Sequence, residues 1–510
     1  MSLNLATLIH IPASEQPDRT ALILGEAQLS YGALDDLAQR MAGGLKSIGV
    51  QPGQHVAILT PNVPAFSVAY FGCHYAACPV VPVNVLLAAD EIAFILKDSD
   101  AVAFIVWDRL LPQAQEALAK AGTATRLIVA KADPGDTSAP PGAHSMAALL
   151  GAGQAVRDLP LTMPDDTAVL LYTSGTTGRP KGAELTHFNM FYNAECAARQ
   201  VLSLPPDTVA LTCLPLTHSF GQTILHNAVL RVGGKIVLLP RFEPRTALTL
   251  IQQHRVTFFG GVPTMYMALL QEASTAPYDV SSLKFCAGGG ASTPMAVLQS
   301  FKERFGVPIL EGYGLSETSP AASFNMPYLA QKPGSVGVPL YGVEFRLERQ
   351  DGSVVTEPEE PGEICIKGHN VMKGYYKQPE QTSQTIRDGW FHTGDVGVRD
   401  NDGYYRIVDR LKDMILFGGY NVYPREVEEV LYSHPAVAEA AVIGVPSSTQ
   451  GEEVKAFVVL RSGVSATEQD LISYCRARMA IYKYPRSIEL RSELPKGPTG
   501  KIAKKALRGG

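Results

Sequence analysis

Hydroxyls, glycines and a lysine crowd into Tyr172-Thr173-Ser174-Gly175-Thr176-Thr177-Gly178-Arg179-Pro180-Lys181-Gly182, directly after the apolar run AVLL at 168–171. Backbone N–H groups left open by glycine, together with side-chain hydroxyls, can surround phosphate oxygens, and Lys181 adds a compact cation. A flexible surface loop has the same composition, so composition alone leaves both readings open. It is not a Walker A loop, because Pro180 intervenes and Gly182 follows Lys181. A second segment is Glu311-Gly312-Tyr313-Gly314-Leu315-Ser316-Glu317-Thr318. It nearly matches the hydrolase elbow G-x-S-x-G, but Thr318 stands where the closing glycine belongs, which argues against a serine nucleophile. Glu317 can hold Mg²⁺, a hard ion that takes carboxylate and phosphate oxygens. An exposed loop carboxylate is the plainer alternative.

Two further residues stand out by type. His218 lies in Pro215-Leu216-Thr217-His218-Ser219-Phe220-Gly221, an apolar setting in which a histidine is more often a hydrogen-bonded core residue. Lys501 lies in a basic tail with Lys496, Lys504, Lys505 and Arg508, where a lysine is ordinarily a solvated charge.

These residues need a scaffold, and its rhythm is visible. Short apolar runs (HVAIL at 55–59, AFIV at 103–106, RLIVA at 126–130, KIVLL at 235–239, VTFFGG at 256–261) alternate with helical patterns at 34–48, 114–121, 247–254 and 294–305. Strand–helix alternation predicts parallel sheets with helices on both faces. Residues 132–153, rich in Pro, Gly, Ala and Ser, read as an exposed linker. Beyond about residue 330, closely spaced strands with Asp-Gly and Pro-Gly turns predict a small antiparallel β module. The last hundred residues return to mixed helices and strands, a compact α+β unit. The expected fold is α/β: a large N-terminal domain of two doubly wound sheets plus a β-barrel-like module, and a small mobile α+β C-terminal domain. The boundaries expected are 1–409 (subdomains 1–150, 160–330 and 331–409) and 410–510.

The chain has 510 residues, 46% apolar and 18% charged, which supports large cores and excludes disorder throughout. Its net charge of −5 argues against a nucleic-acid backbone as main partner. The 46 glycines and 36 prolines exceed the average of roughly 12% of residues without any collagen period. Seven cysteines without a C-x-x-C pair indicate neither a zinc ribbon nor a disulfide scaffold. Buried thiols in a reducing cytoplasm are the expectation. The N-terminal residues carry no signal-peptide pattern, and ALRGG is not a peroxisomal tripeptide. Residues 47–89 contain no Asp, Glu, Lys or Arg before Asp90, but prolines 52, 61, 64, 79 and 82 cut the stretch. We therefore expect a buried strand–helix–strand unit there and no membrane span.

Taken together, loop 172–182, EGYGLSET at 311–318, WFHTGD at 390–395, DRLKDMI at 409–415 and GPTGK ending at Lys501 closely resemble the adenylate-forming superfamily. That group includes acyl-CoA synthetases, peptide-synthetase adenylation domains and firefly luciferase. The motifs follow the family's order from about residue 20 to the end. The resemblance implies that ATP, Mg²⁺ and coenzyme A take part: a carboxylate joins the α-phosphate, pyrophosphate leaves, and the acyl group passes to a thiol. It implies that Thr173, Ser174, Gly175, Thr176, Thr177, Gly178 and Lys181 hold the β- and γ-phosphates. Thr318 would touch the α-phosphate and Glu317 would hold Mg²⁺. Gly289, Gly290 and Ala291, with Gly312, Tyr313 and Gly314, would form the adenine slot. Asp395 would accept from the ribose hydroxyls, supported by Arg410. Lys501 would bridge the carboxylate and the α-phosphate, Lys412 would be the interdomain hinge, and Gly418, Gly419 and Tyr420 would face the thiol arm. His218 would line or gate the acyl carboxylate.

Relatives that activate amino acids usually hold the ammonium with an aspartate near the His218 region. Residues 211–242 contain neither Asp nor Glu, and a buried ammonium without counter-ion is costly. Phe258-Phe259-Gly260-Gly261-Val262-Pro263 suggests an apolar pocket instead. A hydrophobic, medium- or long-chain fatty acid is the expected substrate. An aryl or hydroxycinnamate acid, or an acyl-carrier protein in place of CoA, is the alternative. A monomer or homodimer is expected.

Overall fold

The computed structural model describes residues 2–173, 180–418, 420–447, 450–497 and 501–508. Its large part is built on two sheets. The first, of eight strands, centres on the fully buried Val56–Leu59, with Val80–Pro82, Thr167–Thr173 and Lys181–Thr186 on one side and Ala103–Trp107 and Arg126–Ala130 on the other. The second, of nine strands, places Phe258–Gly261, Phe285–Gly288 and Ile309–Gly314 side by side in parallel. Strands buried on both faces read as continuous apolar runs, which is how they were visible in the sequence.

The charge-free stretch forms the expected unit: strand Val56–Leu59, helix Pro64–Tyr75 and strand Val80–Pro82. Proline at the first helical position, where its missing N–H is harmless, starts that helix. No helix among the described residues is long and apolar enough to cross a membrane. All seven cysteines are free and buried.

Two expectations need correction. The hairpin Thr20–Leu24/Ala27–Ser30 joins the second sheet, pairing Leu22 with Ile236 in parallel, so the early chain contributes to both sheets. Residues 132–153 are not all linker. Strand His144–Ser145 pairs with Arg126–Ala130, and helix Met146–Ala152 follows, capped by Ser145 Oγ accepting from the Ala148 N–H and burying Met146 and Leu149.

From Val343 to Arg410 five strands form the antiparallel β module. The small C-terminal domain has its own five-stranded sheet and core, with helices Pro424–Tyr432 and Glu468–Arg476 packed on it.

Candidate active site

The candidate residues gather in two groups. The phosphate-side group starts from a hairpin: Thr173, last residue of its strand, lies directly opposite Lys181, first residue of the returning strand. Opposed residues of an antiparallel pair share a face. Ser174, Gly175, Thr176, Thr177 and Gly178, between them, lie outside the described residues. Glu317 enters from the one-turn helix Ser316–Thr318 that follows strand Ile309–Gly314. Its Oε1 accepts from the Thr173 hydroxyl at 3.3 Å and from the Tyr375 hydroxyl at 3.0 Å. Lys181 is buried, with its ammonium 5.2 Å from the centre of the Tyr375 ring. Burial lowers its pKa and the nearby Glu317 opposes the shift. A largely buried carboxylate held by two neutral hydroxyls, with no lysine or arginine in ion-pair contact among the described residues, suits a hard cation that would supply the missing charge. The residues present fit Mg²⁺.

Thr318 is placed differently from its expected task. It is fully buried, its hydroxyl donates to the Pro320 carbonyl at 2.6 Å and accepts from the Leu315 N–H at 2.8 Å. That hydroxyl closes its own turn. Ser316, one residue before Glu317, is the partly exposed hydroxyl of the same turn.

The second group surrounds Asp395. It lies directly opposite Arg410 on adjacent strands, with Arg410 Nε 3.0 Å from Oδ1. Tyr313 donates its hydroxyl to Oδ2 at 2.7 Å. Lys501 is brought in by the small domain, where the Gly497 N–H donates to its carbonyl. Its side chain lies against the loop after strand Phe285–Gly288, and Gly290 there adopts φ +80°, a conformation natural to glycine. Burial lowers the Lys501 pKa from 10.5 to about 8; Arg410 pushes the same way and Asp395 opposes. His218 accepts from the Phe220 N–H at its Nδ1, 3.3 Å away, so the proton of the neutral ring sits on Nε2. Burial, and then Lys501, push His218 down to about 4. His218 is therefore neutral near pH 7 and adds no positive charge beside Lys501.

Gly289 packs against the Phe220 ring: a Cβ there would stand 3.1 Å from Phe220 Cε1. Ala291 is exposed beside Gly290, and Gly312 and Gly314 are partly buried flanks of Tyr313. Gly418 and Tyr420 are not part of either group. Gly418 bonds Gln450, and Tyr420, exposed, stacks on Tyr482 at 4.6 Å, both within the small domain. Gly419 lies outside the described residues, as do Thr499 and Gly500 beside Lys501. Burial lowers the Lys412 pKa, at the turn between the β module and the small domain. Tyr375 has no signal in the sequence, whereas Ser316, weighed there only as a nucleophile, carries one as a hydroxyl next to the expected Mg²⁺ carboxylate.

Known proteins supply the comparison. Residues 10–376 match the family described as AMP-binding enzyme, and residues 426–501 match the AMP-binding enzyme C-terminal domain. The chain is 37% identical to a long-chain-fatty-acid–CoA ligase of Bacillus subtilis (strain 168), covering 99% of this chain and 94% of that one. It is 39% identical to a feruloyl-CoA synthase of an Amycolatopsis species, covering 97% and 96%. An anthranilate CoA ligase solved with anthranoyl-AMP superposes with a TM-score of 0.93 at 29% identity, over 99% of this chain and 97% of that one. Fold and relatives define an acid–thiol ligase that works through an adenylate. The chain belongs to the AMP-binding enzyme family of the adenylate-forming superfamily.

Proposed function

We propose that the enzyme is an ATP-dependent acyl-CoA synthetase for hydrophobic carboxylic acids, with medium- or long-chain fatty acids as the substrate class. The observation that carries the reaction is Lys501 lying against Gly290, near enough for its charge to be felt by His218 and to feel the Asp395–Arg410 pair. The acid's oxygen attacks the α-phosphorus, and the bond from that phosphorus to the β-phosphate bridge oxygen breaks. Anionic groups meet there, so positioning and charge neutralisation do most of the work. Lys501 holds the two reacting anions together. The Thr173–Lys181 hairpin orients the outer phosphates, and Ser316, rather than the inward-turned Thr318, offers its hydroxyl to the α-phosphate. Glu317 would hold Mg²⁺, which when bound would neutralise phosphate charge. Tyr313 and Asp395 receive adenine and ribose.

In the second step the CoA thiolate attacks the acyl carbon and AMP leaves. Lys501 is then no longer needed, and the exposed hairpin with Gly418 and Tyr420 has its turn once the small domain rotates about Lys412. Among the described residues the small domain meets the large part through the Arg425 N–H to Asp409 Oδ2 at 2.9 Å, the Arg425 guanidinium to the Ile407 carbonyl at 2.5 Å and the Met295 N–H to Glu429 Oε2 at 3.5 Å.

The wall near His218 supports this acid class. Phe220, Ile224 and Val262 are buried apolar side chains there, and residues 211–242 hold no carboxylate to receive an amino group. A second reading, an aryl or hydroxycinnamate acid, is favoured by the Phe220 ring lying on Gly289, which makes a flat apolar wall. Pyrophosphate release over fatty, aryl and short acids, with CoA and with acyl-carrier protein, tests both. Octanoate or a longer acid should outcompete acetate; ferulate-type acids winning would select the second reading, and an acetate preference would contradict both.

A further inference from the structure

The short run Met372–Tyr376, whose strand Gly374–Tyr375 adds to the edge of the eight-stranded sheet, grips the phosphate-side group from outside the hairpin and the turn that define it. The Met372 N–H donates to the Glu317 carbonyl at 2.8 Å, the Lys373 N–H to the Glu184 carbonyl at 2.9 Å, and the Tyr376 N–H to the Gly182 carbonyl at 2.8 Å. Between them Tyr375 pairs with Ala183, two residues past Lys181. The tyrosine is buried, and its two ends do different things. The hydroxyl donates to Glu317 Oε1, and the ring lies under the Lys181 ammonium.

Each end has a consequence. With Thr173 and Tyr375 both on Oε1, the carboxylate is fixed in rotation, and Oε2 takes no hydrogen bond from any described residue. An oxygen held open in this way is suited to a cation. An aromatic face attracts an ammonium without neutralising it, whereas a carboxylate partner would cancel the charge that phosphates need. Phenylalanine would keep the ring and lose the aim of Glu317; leucine would lose both.

We infer that Tyr375 is a positioning residue of the phosphate-side site, aiming Glu317 with its hydroxyl and seating Lys181 with its ring. The inference rests on the proposal that Glu317 holds the divalent cation.

The test uses the full-length enzyme with α,β-methylene-ATP, a nucleotide whose α–β bridge cannot be cleaved and which therefore cannot adenylylate the acid, and Mn²⁺ as a paramagnetic probe. Metal binding is followed by electron paramagnetic resonance and nucleotide binding by calorimetry in EDTA. For Tyr375→Phe we expect Mn²⁺ affinity of the nucleotide complex to fall about tenfold, the loss of one hydrogen bond to a charged group. Its metal-free nucleotide affinity and its melting temperature should stay at the wild-type values. Tyr375→Leu should also weaken metal-free nucleotide binding. A Tyr375→Phe variant that melts earlier but binds Mn²⁺ normally would overturn the inference, as would equal loss of metal and metal-free nucleotide binding. Glu317→Gln separates the two levels. If it weakens Mn²⁺ binding while Tyr375→Phe does not, Tyr375 alone loses its role. If Glu317→Gln binds Mn²⁺ like the wild type, the cation assignment fails and the inference falls with it.

Discussion

Lys501 and Gly290 lie so close that a Cβ on the glycine would stand 3.2 Å from Lys501 Cε and 3.7 Å from its Nζ. The missing side chain is the space into which the small domain delivers its lysine.

Gly290→Ala should therefore slow adenylation selectively. Alanine at φ +80° is strained, and its methyl crowds the Lys501 side chain at 3.2 Å. We expect pyrophosphate release to fall by about tenfold or more, while thioester formation from supplied acyl-adenylate stays near wild type. Equal effects on both half-reactions would mean that the contact has no catalytic meaning.

The pH dependence of adenylation should carry the mark of Lys501. With its pKa at about 8, the ammonium is present below that value and is lost as pH rises through it. The kcat/KM for pyrophosphate release, which reports the free enzyme, should fall above about pH 8. Lys501→Arg, charged throughout, should be less active but without that limb. His218 should contribute no limb between pH 5 and 7, because it is neutral there.

Glu311 offers a separate check on stability. It is buried, accepts from the Thr293 N–H at 2.8 Å, and burial raises its pKa from 4.5 to about 7. The folded chain keeps the carboxyl neutral where the unfolded chain ionises it. Stability from the neutral form is complete below about pH 4.5 and is lost as pH rises to about 7. Glu311→Gln cannot ionise, so relative to wild type it should gain on the order of 3 kcal/mol across that window. Urea denaturation midpoints of the two proteins at pH 4.5, 6 and 8 would show this; a constant difference would refute it.

How much of this was legible in the sequence depended on how local the signal was. The loop between Thr173 and Lys181 was visible because an apolar strand runs straight into a hydroxyl-rich turn within one stretch, but the returning strand Lys181–Thr186 that makes it a hairpin was not. Asp395 and Arg410 were legible by motif, though their direct opposition is a fact of strand register. Tyr375 was not, because its contact with Glu317 spans 58 residues and its strand has two residues, too short for any periodicity. Thr318 and Ser316 are two hydroxyls in one three-residue turn, and which one turns inward is decided by the carbonyl of Pro320. The run TALIL at 20–24 announces a strand, but nothing in it names the sheet it joins. Helix Met146–Ala152 was hidden by the Gly- and Pro-rich residues before it, although Ser145 with Met146 and Leu149 is a cap followed by an apolar i, i+3 pair.

The most direct test of the central claim is Lys501→Ala measured in the two half-reactions separately. Pyrophosphate release from ATP and octanoate should fall by about 10²–10³-fold or more, the scale of losing one preorganised group at a reacting centre. Thioester formation from supplied octanoyl-adenylate and CoA should remain near the wild-type rate. If both half-reactions fell together, or if pyrophosphate release survived, Lys501 would not be the adenylation lysine.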